Sequence, residues 1–348
     1  MFKKAIAAVI CLALVSSAAL AVSLNGAGAT FPYPIYVKWN KMFADKTGIQ
    51  VNYQGIGSGG GIRQFTAQIT DFGGSDAPMT EKQMADAGGN VLHIPTVMGA
   101  VAVSYNLQEA TKLKLDPETL AKIFMGKIKK WNDPAIAALN PGVRLPAKSV
   151  LVAHRSDGSG TTHIFTSYLA KVSTAWAAEV GAGSAVSWPT GIGSKGNAGV
   201  AGVIKGNEGA IGYVELSYAI SNDLPVAALK NRSGSYVVPS LQSTTAAASG
   251  AISSAKISKQ VAGGDYRLDL TNAPGAGSYP IVGMTWILVK QKINDAEKGE
   301  ALKKYLKWGL SDGQKYASSL LYAPLPESMS DKVLKTIDKI NEIPGTSE

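Results

Sequence analysis

Hydrophobic periodicity along the chain alternates between two patterns. Short apolar runs bounded by glycine occur at residues 22–25, 49–54, 95–106, 209–214 and 281–289, with another from Val150 into the turn at Arg155, and each predicts a strand. Between them, apolar residues recur at helical spacing. Ile35, Trp39, Met42 and Phe43 fall on one face of a helix that Thr30 is placed to cap, with Pro32 and Pro34 in a first turn where a missing N–H costs nothing. A short helix is expected over residues 61–69. Within residues 120–140, a helix starts at Asp133-Pro134 and stops at Asn140-Pro141-Gly142. From Asp295 onward the chain reads as mostly helical, with Leu302, Tyr305 and Leu306 on one face. Residues 240–254 are rich in Ser and Ala without clear periodicity and read as a surface segment. Alternating strands and helices predict α/β architecture, and no tandem repeat of solenoid period is present in the sequence.

Three of the strand-to-helix turns share a chemistry. Thr30, Ser58 and Ser159 each place a hydroxyl beside glycine at the start of a helix, where unpaired N–H groups and the positive end of the helix dipole favour an anion. The third turn, in VLVAHRSDGSGTTHIFTSYL (150–169), adds Arg155, whose planar fork can meet two oxygens, and Asp157, which can hold that fork in place. Alone, this turn reads equally well as an ordinary capped turn. With the other two turns and a buried-looking Asp76 in DFGGSDAP, it points to convergence on one ligand.

Composition narrows the setting. Lys3 and Lys4 precede an apolar run from Ala5 to Val15, and Ala19-Leu20-Ala21 offers a cleavage site, so residues 1–21 read as an export signal. The run is shorter than the ~20 residues a membrane span needs. Cys11, the sole cysteine, follows a bulky isoleucine, which argues against lipidation and leaves the processed chain without thiol, disulfide or cysteine metal site. The 348-residue chain is long enough for two domains with large cores. Its formal charge of +9, reduced by two on loss of the leader, favours anions. Nucleic acid is disfavoured because the basic residues are dispersed; Lys127, Lys129 and Lys130, the nearest thing to a cluster, read as a solvated face.

Other chemistries fit less well. GxGxxG occurs at 55–60 and again at 191–196, and two occurrences in a chain with 38 glycines show how cheaply the dinucleotide pattern arises. A hydrolase would need Ser159 paired with His163 or His154, yet helical side chains lean toward the N-terminus and no GxSxG elbow is present. His93, His154 and His163 lack zinc spacing and read as polar or packing residues, and the six tryptophans as core or hinge lining. No cofactor and no metal is expected.

Six segments carry a more specific likeness: GAGATFPYPIYVKW (26–39), VNYQGIGSGGGIRQ (51–64), DFGGSDAPM (71–79), FMGKIKKWNDPAI (124–136), RSDGSGTTHIFTSYL (155–169) and GAIGYVE (209–215). In this order they resemble the periplasmic phosphate-binding proteins of phosphate ABC transporters, across essentially the whole chain after the leader. The resemblance implies a two-lobed, type II-like α/β binding protein with two hinge crossovers and a ligand cleft between lobes. The lobes would comprise residues 22–104 with 280–348, and 105–279, with crossings near residues 103–106 and 278–282. It also implies phosphate contacts from Thr30, Phe31, Ser58 and Asp76 in one lobe and from Arg155, Ser159, Gly160 and Thr161 in the other, with Asp157 orienting Arg155. The implied protein is no enzyme: it would bind phosphate in the periplasm as a monomer, without nucleic acid, and deliver it to membrane permease subunits. A receptor for another tetrahedral oxyanion (sulfate, molybdate) is the alternative, and an exported phosphatase a more distant one. The departures are small: Gly59 and Gly60 follow Ser58 where a second serine is common, and His154 precedes the site arginine.

Overall fold

The computed structural model describes residues 22–341; the expected export signal, the expected cleavage site and Cys11 lie outside them. The first part of the chain runs β1 (Ser23–Gly28), α1 (Tyr33–Thr47), β2 (Gln50–Gly55), α2 (Ser58–Thr66), β3 (Phe72–Ser75), α3 (Glu81–Asp86) and β4 (Val91–Tyr105). The middle comprises β5 (Lys114–Leu115), α4 (Pro117–Phe124), α5 (Pro134–Leu139), β6 (Leu151–Arg155), α6 (Gly160–Val172), α7 (Thr174–Glu179), β7 (Ile192–Ser194), α8 (Gly196–Gly206), β8 (Ala210–Glu215), α9 (Leu216–Ser221), β9 (Ala228–Lys230), β10 (Tyr236–Val237), α10 (Leu241–Ile252) and α11 (Ala255–Ala262). The last part is β11 (Val282–Lys290), α12 (Ala296–Leu310), β12 (Ala323–Pro324) and α13 (Glu327–Asp338).

One curled sheet carries both lobes, in the order β2-β1-β3-β11-β4-β8-β6-β7, with β12 also against β4. The first lobe is built on parallel β2, β1 and β3, and the second on β8, β6 and β7. β4 belongs to both. From Val91 to Ala100 it lies antiparallel to β11, and from Val101 to Tyr105 antiparallel to β8. On its β11 side, Ala227 N–H donates to Val103 O where β11 has ended, while the last β11-side bond runs from Val101 N–H to Ile281 O. β4 is therefore a single extended strand whose neighbours change between Ala100 and Val101. Residues 91–92 are half-buried and 93–105 buried, as expected of a central strand covered on both faces.

Local chemistry explains most elements. Asp133 caps α5 and Asp295 caps α12 by accepting from Ala135 N and Lys298 N. Ile35, Tyr36, Trp39 and Phe43 bury one face of α1, while Met42 is only half-buried. Five tryptophans (Trp39, Trp131, Trp176, Trp286 and Trp308) are core residues, and Trp188 is half-buried against them.

Two expectations need correction. Thr30 does not cap α1: Pro32 occupies that position without a side-chain bond, and the Thr30 hydroxyl is engaged across the cleft. Residues 240–254 are not an irregular surface segment but mostly α10, opened by a reciprocal capping box between Ser240 and Ser243. Its buried face, Ser243, Thr244, Ala247, Ala248 and Ala251, has helical spacing. Small residues hide that spacing from a hydrophobicity reading, and they let the helix pack closely on β4, β11 and β12.

Candidate anion-binding site

Each lobe delivers its residues at the carboxyl ends of parallel strands, the usual place for ligands in open α/β sheets. In the first lobe, Thr30 and Phe31 lie on the loop after β1, Ser58 is the first residue of α2 and Asp76 follows β3. Ser58 Oγ accepts from Asp76 N–H at 3.2 Å. Asp76 is 1% exposed, and its Oδ1 accepts from the Thr285 hydroxyl at 2.8 Å. Burial pushes its carboxyl up to about 7, against the opposing pull of Thr285, Arg155 and Ser58.

In the second lobe, Arg155 ends β6 with its side chain 1% exposed. Its Nε and Nη2 donate to Asp157 Oδ1 and Oδ2 at 2.7 and 2.5 Å, a two-pronged pair that fixes the guanidinium plane. Burial opposes the Asp157 charge, but the Arg155 hydrogen bonds and charge, with the Gly196 N–H, outweigh it and hold that carboxyl below its usual range. Ser159 caps α6, accepting from Thr162 N–H at 3.0 Å, which leaves its hydroxyl proton free to donate elsewhere. Gly160 and Thr161 form the first turn of α6, both buried.

The lobes meet directly. Gly160 N–H donates to Ser58 Oγ at 3.0 Å, and Gly59 N–H to Gly158 O at 2.8 Å. Gly57 has a φ of +83°, and a Cβ there would sit 2.2 Å from Asp157 Oδ2; glycine is required both for the backbone and for the approach of the other lobe. A Cβ on Gly160 would stand 2.5 Å from Asp76 Cβ. Ser58, Asp76, Gly160 and Asp157 thus meet at one seam, which Thr30 and Thr161 join through Asn197, while Ser159 stands beside Gly160 at the start of α6. Phe31 is buried with its ring against Gly99, and its carbonyl accepts from Tyr322 at 2.7 Å.

Several residues at this seam escaped the sequence reading. Asn197, at the start of α8, donates from Nδ2 to Thr30 Oγ1 at 2.9 Å and to Thr161 Oγ1 at 3.1 Å, tying the lobes together through one side chain. Glu215 N–H holds the Asn197 carbonyl oxygen at 2.9 Å, and Tyr218 donates to Thr30 O at 2.6 Å. A signal was available: Asn197 follows the second GxGxxG, which marks a helix start as Gly55 to Gly60 does.

The histidines take packing roles. His154 stacks on Trp188 with centroids 4.8 Å apart, and His93 Nε2 accepts from Met79 N–H at 3.0 Å. The Ser159 hydroxyl accepts from Thr162 N–H, while burial holds the His163 imidazole below its ordinary range against the opposing pull of Asp269. Among the described residues, no group of three His, Cys, Asp or Glu is placed to hold a metal ion, and no helix is long and apolar enough to cross a membrane.

A family model described as a PBP superfamily domain matches residues 15–313. The phosphate-binding protein PstS of Pasteurella multocida is 46% identical over 315 residues, covering 90% of this chain and 89% of that protein. PstS of Haemophilus influenzae is 45% identical over 310 residues, covering 88% and 90% respectively. Among solved structures, a high-affinity periplasmic phosphate-binding protein (PfluDING) bound with phosphate superimposes with a TM-score of 0.71 at 20% identity, covering 93% of this chain and 100% of that one. At that identity the likeness speaks for the fold alone, and it agrees with the two-lobed sheet described above. By family-model coverage and by the identity of its relatives, the chain belongs to the PBP superfamily and, within it, to the PstS phosphate-binding proteins.

Proposed function

We propose that this protein binds inorganic phosphate between its two lobes and delivers it to the membrane permease subunits of an ABC-type phosphate importer. In this reading it is exported, with residues 1–21 removed, acts in the periplasm as a monomer, and catalyses no reaction. Residues 22–104 with 280–348 form one lobe and 105–279 the other, joined through β4 and the segment leading into β11. Phosphate contacts come from Thr30, Phe31, Ser58, Asp76, Arg155, Ser159, Gly160 and Thr161, with Asp157 holding Arg155 in register.

The observation that carries this reading is the pairing of a buried, pre-aimed arginine with a buried carboxylate across one closed seam. Arg155, hydroxyls and helix N-termini supply donors for a desolvated oxyanion. Asp76 is the acceptor among them. A carboxylate facing an anion is tolerable where the ligand brings a proton for the carboxylate to accept, as phosphate does at neutral pH and sulfate does not. Sites that hydrogen-bond a particular ligand hydrogen reject analogues lacking it by about 10⁴-fold, because the site group is left unpaired.

Unfolding and refolding the protein to strip bound ligand, then titrating phosphate, arsenate, sulfate and molybdate by calorimetry, tests the reading. A phosphate-ester turnover assay runs alongside. Tight phosphate binding without turnover is expected; preference for sulfate or molybdate, or turnover, overturns it.

A further inference from the structure

Behind the anion site a second buried carboxylate joins the lobes. Glu215 ends β8 in the second lobe, is fully buried, and turns its Oε2 toward the first lobe, where Tyr322 stands just ahead of β12. Oε2 receives Ser217 N–H at 3.0 Å, lies beside the Ser217 hydroxyl, and is 3.1 Å from the Tyr322 oxygen; that oxygen in turn is 2.7 Å from Phe31 O. Oε1 is buried with no partner.

Counting protons decides the ionisation state of this cluster. Besides a longer contact of 3.4 Å between the Ser217 and Tyr322 hydroxyls, three close oxygen–oxygen contacts need a hydrogen: Tyr322 to Phe31 O, Tyr322 to Glu215, and Ser217 to Glu215. The two hydroxyls supply two. A neutral Glu215 supplies the third, and its unpartnered Oε1 is then a carbonyl-type oxygen rather than part of a desolvated charge. We propose that Glu215 is a positioning residue that takes up a proton as the lobes close, so that phosphate binding is coupled to protonation of a carboxyl that does not touch the ligand. The proposal rests on the lobe-closing, phosphate-binding reading above.

The surroundings agree. The titratable groups facing Glu215 are Asp76 after β3, Tyr218 on α9 and Tyr322 ahead of β12. Burial is the largest influence and pushes the Glu215 carboxyl up to about 8, the charge of Asp76 adding to it and the Ser217 and Tyr322 bonds opposing it. Opening the lobes withdraws Tyr322 and Asp76 and admits water, returning the carboxyl toward its ordinary range. The link reaches the ligand loop directly, because Tyr322 grips Phe31 O while Tyr218 grips Thr30 O, fixing the peptides on either side of Phe31.

The sign follows. A group whose pKa is higher in the closed form favours closure at low pH and costs affinity as pH rises from the open-form value toward about 8. In that window one proton changes affinity about tenfold per pH unit. Glu215→Gln keeps the shape and cannot ionise, although an amide nitrogen at the Oε2 position gives up the bond from Ser217 N–H. Phosphate titrations of the wild type and E215Q, from pH 5.5 to 9 and in buffers of different ionisation enthalpy, read both affinity and proton uptake. E215Q is expected to take up about one proton fewer at pH 7 and to lose at least tenfold less affinity than the wild type between pH 6 and pH 9. Equal proton uptake and parallel pH profiles overturn the proposal.

Infrared difference spectra of the wild type with and without phosphate give a second readout should the variant fail to fold. A protonated-carboxyl band gained on binding, and retained in Asp76→Asn, supports the proposal; its absence overturns it. Failure of the wild type to bind phosphate at all would instead refute the reading on which it rests.

Discussion

Asp76 and Arg155 divide the labour of recognition. Arg155 is held by Asp157 and buried, so its removal leaves a carboxylate without its partner as well as a ligand without its fork. Arg155→Ala is expected to weaken phosphate binding by about 2 to 5 kcal/mol, seen by calorimetry; near-normal affinity would place the anion site elsewhere. Arg155→Lys should recover only a small part, since a point charge cannot span Asp157 and ligand together. Asp76 sets the choice among anions. Asp76→Asn is expected to narrow the gap between phosphate and sulfate affinities, and unchanged discrimination would refute its role. Because the Asp76 carboxyl is raised to about 7, it is largely an acceptor above that pH and protonated below it. Rejection of sulfate by the wild type should accordingly be stronger at pH 8 than at pH 6, in competition titrations at both.

At the scale of elements, the site is made by strands that end and helices that begin at one seam, and glycines set how near those ends come. A methyl group at Gly160, the first residue of α6, would strike the Asp76 Cα and Cβ across the seam. Gly160→Ala is therefore expected to lower phosphate affinity at least tenfold while leaving helix content near wild type, with calorimetry and circular dichroism as the readouts. The same geometry explains what was legible in the sequence. Ser58, Arg155 and Ser159 could be found because hydroxyl-beside-glycine helix starts recur in the chain and one of them carries a guanidinium, although each alone reads as an ordinary cap. Strands such as β8 and β11 announced themselves through apolar runs. Tyr218, Glu215 and Tyr322 act through partners far away in sequence, and no local pattern encodes such pairings; for Asn197 the second GxGxxG marks the helix start but not the partners across the seam. α10 was concealed for another reason: Ala and Ser fill its buried face, so its period lies in residue size rather than in hydrophobicity.

For the whole molecule, the seam places two carboxyls, Asp76 and Glu215, where water is excluded, and each is raised by burial. A group raised in the folded state contributes stability that is complete below its unfolded pKa and is lost as pH climbs through the folded one. The closed, phosphate-saturated protein is thus expected to melt at its highest temperature in mild acid and progressively lower up to pH 8, at about 1.4 kcal/mol per pH unit for Glu215 within its window. Thermal melts at saturating phosphate across that range check this, and Glu215→Gln should flatten the curve; a wild-type melting temperature that rises over the range would contradict it.

The undivided run of β4 through both lobes has a mechanical consequence. A disordered linker lets two bodies translate, tumble and meet in any orientation. A hydrogen-bonded strand that keeps its extended form while exchanging neighbours at Ala100 and Val101 acts instead as an axle, stiff along its length and compliant only in twist and bend. Motion between the lobes is thereby reduced to few degrees of freedom, and each closing stroke returns the donors of one lobe to the same place opposite those of the other. The entropy of bringing the two halves of the site together is met once, when the chain folds, and not again with each ion captured.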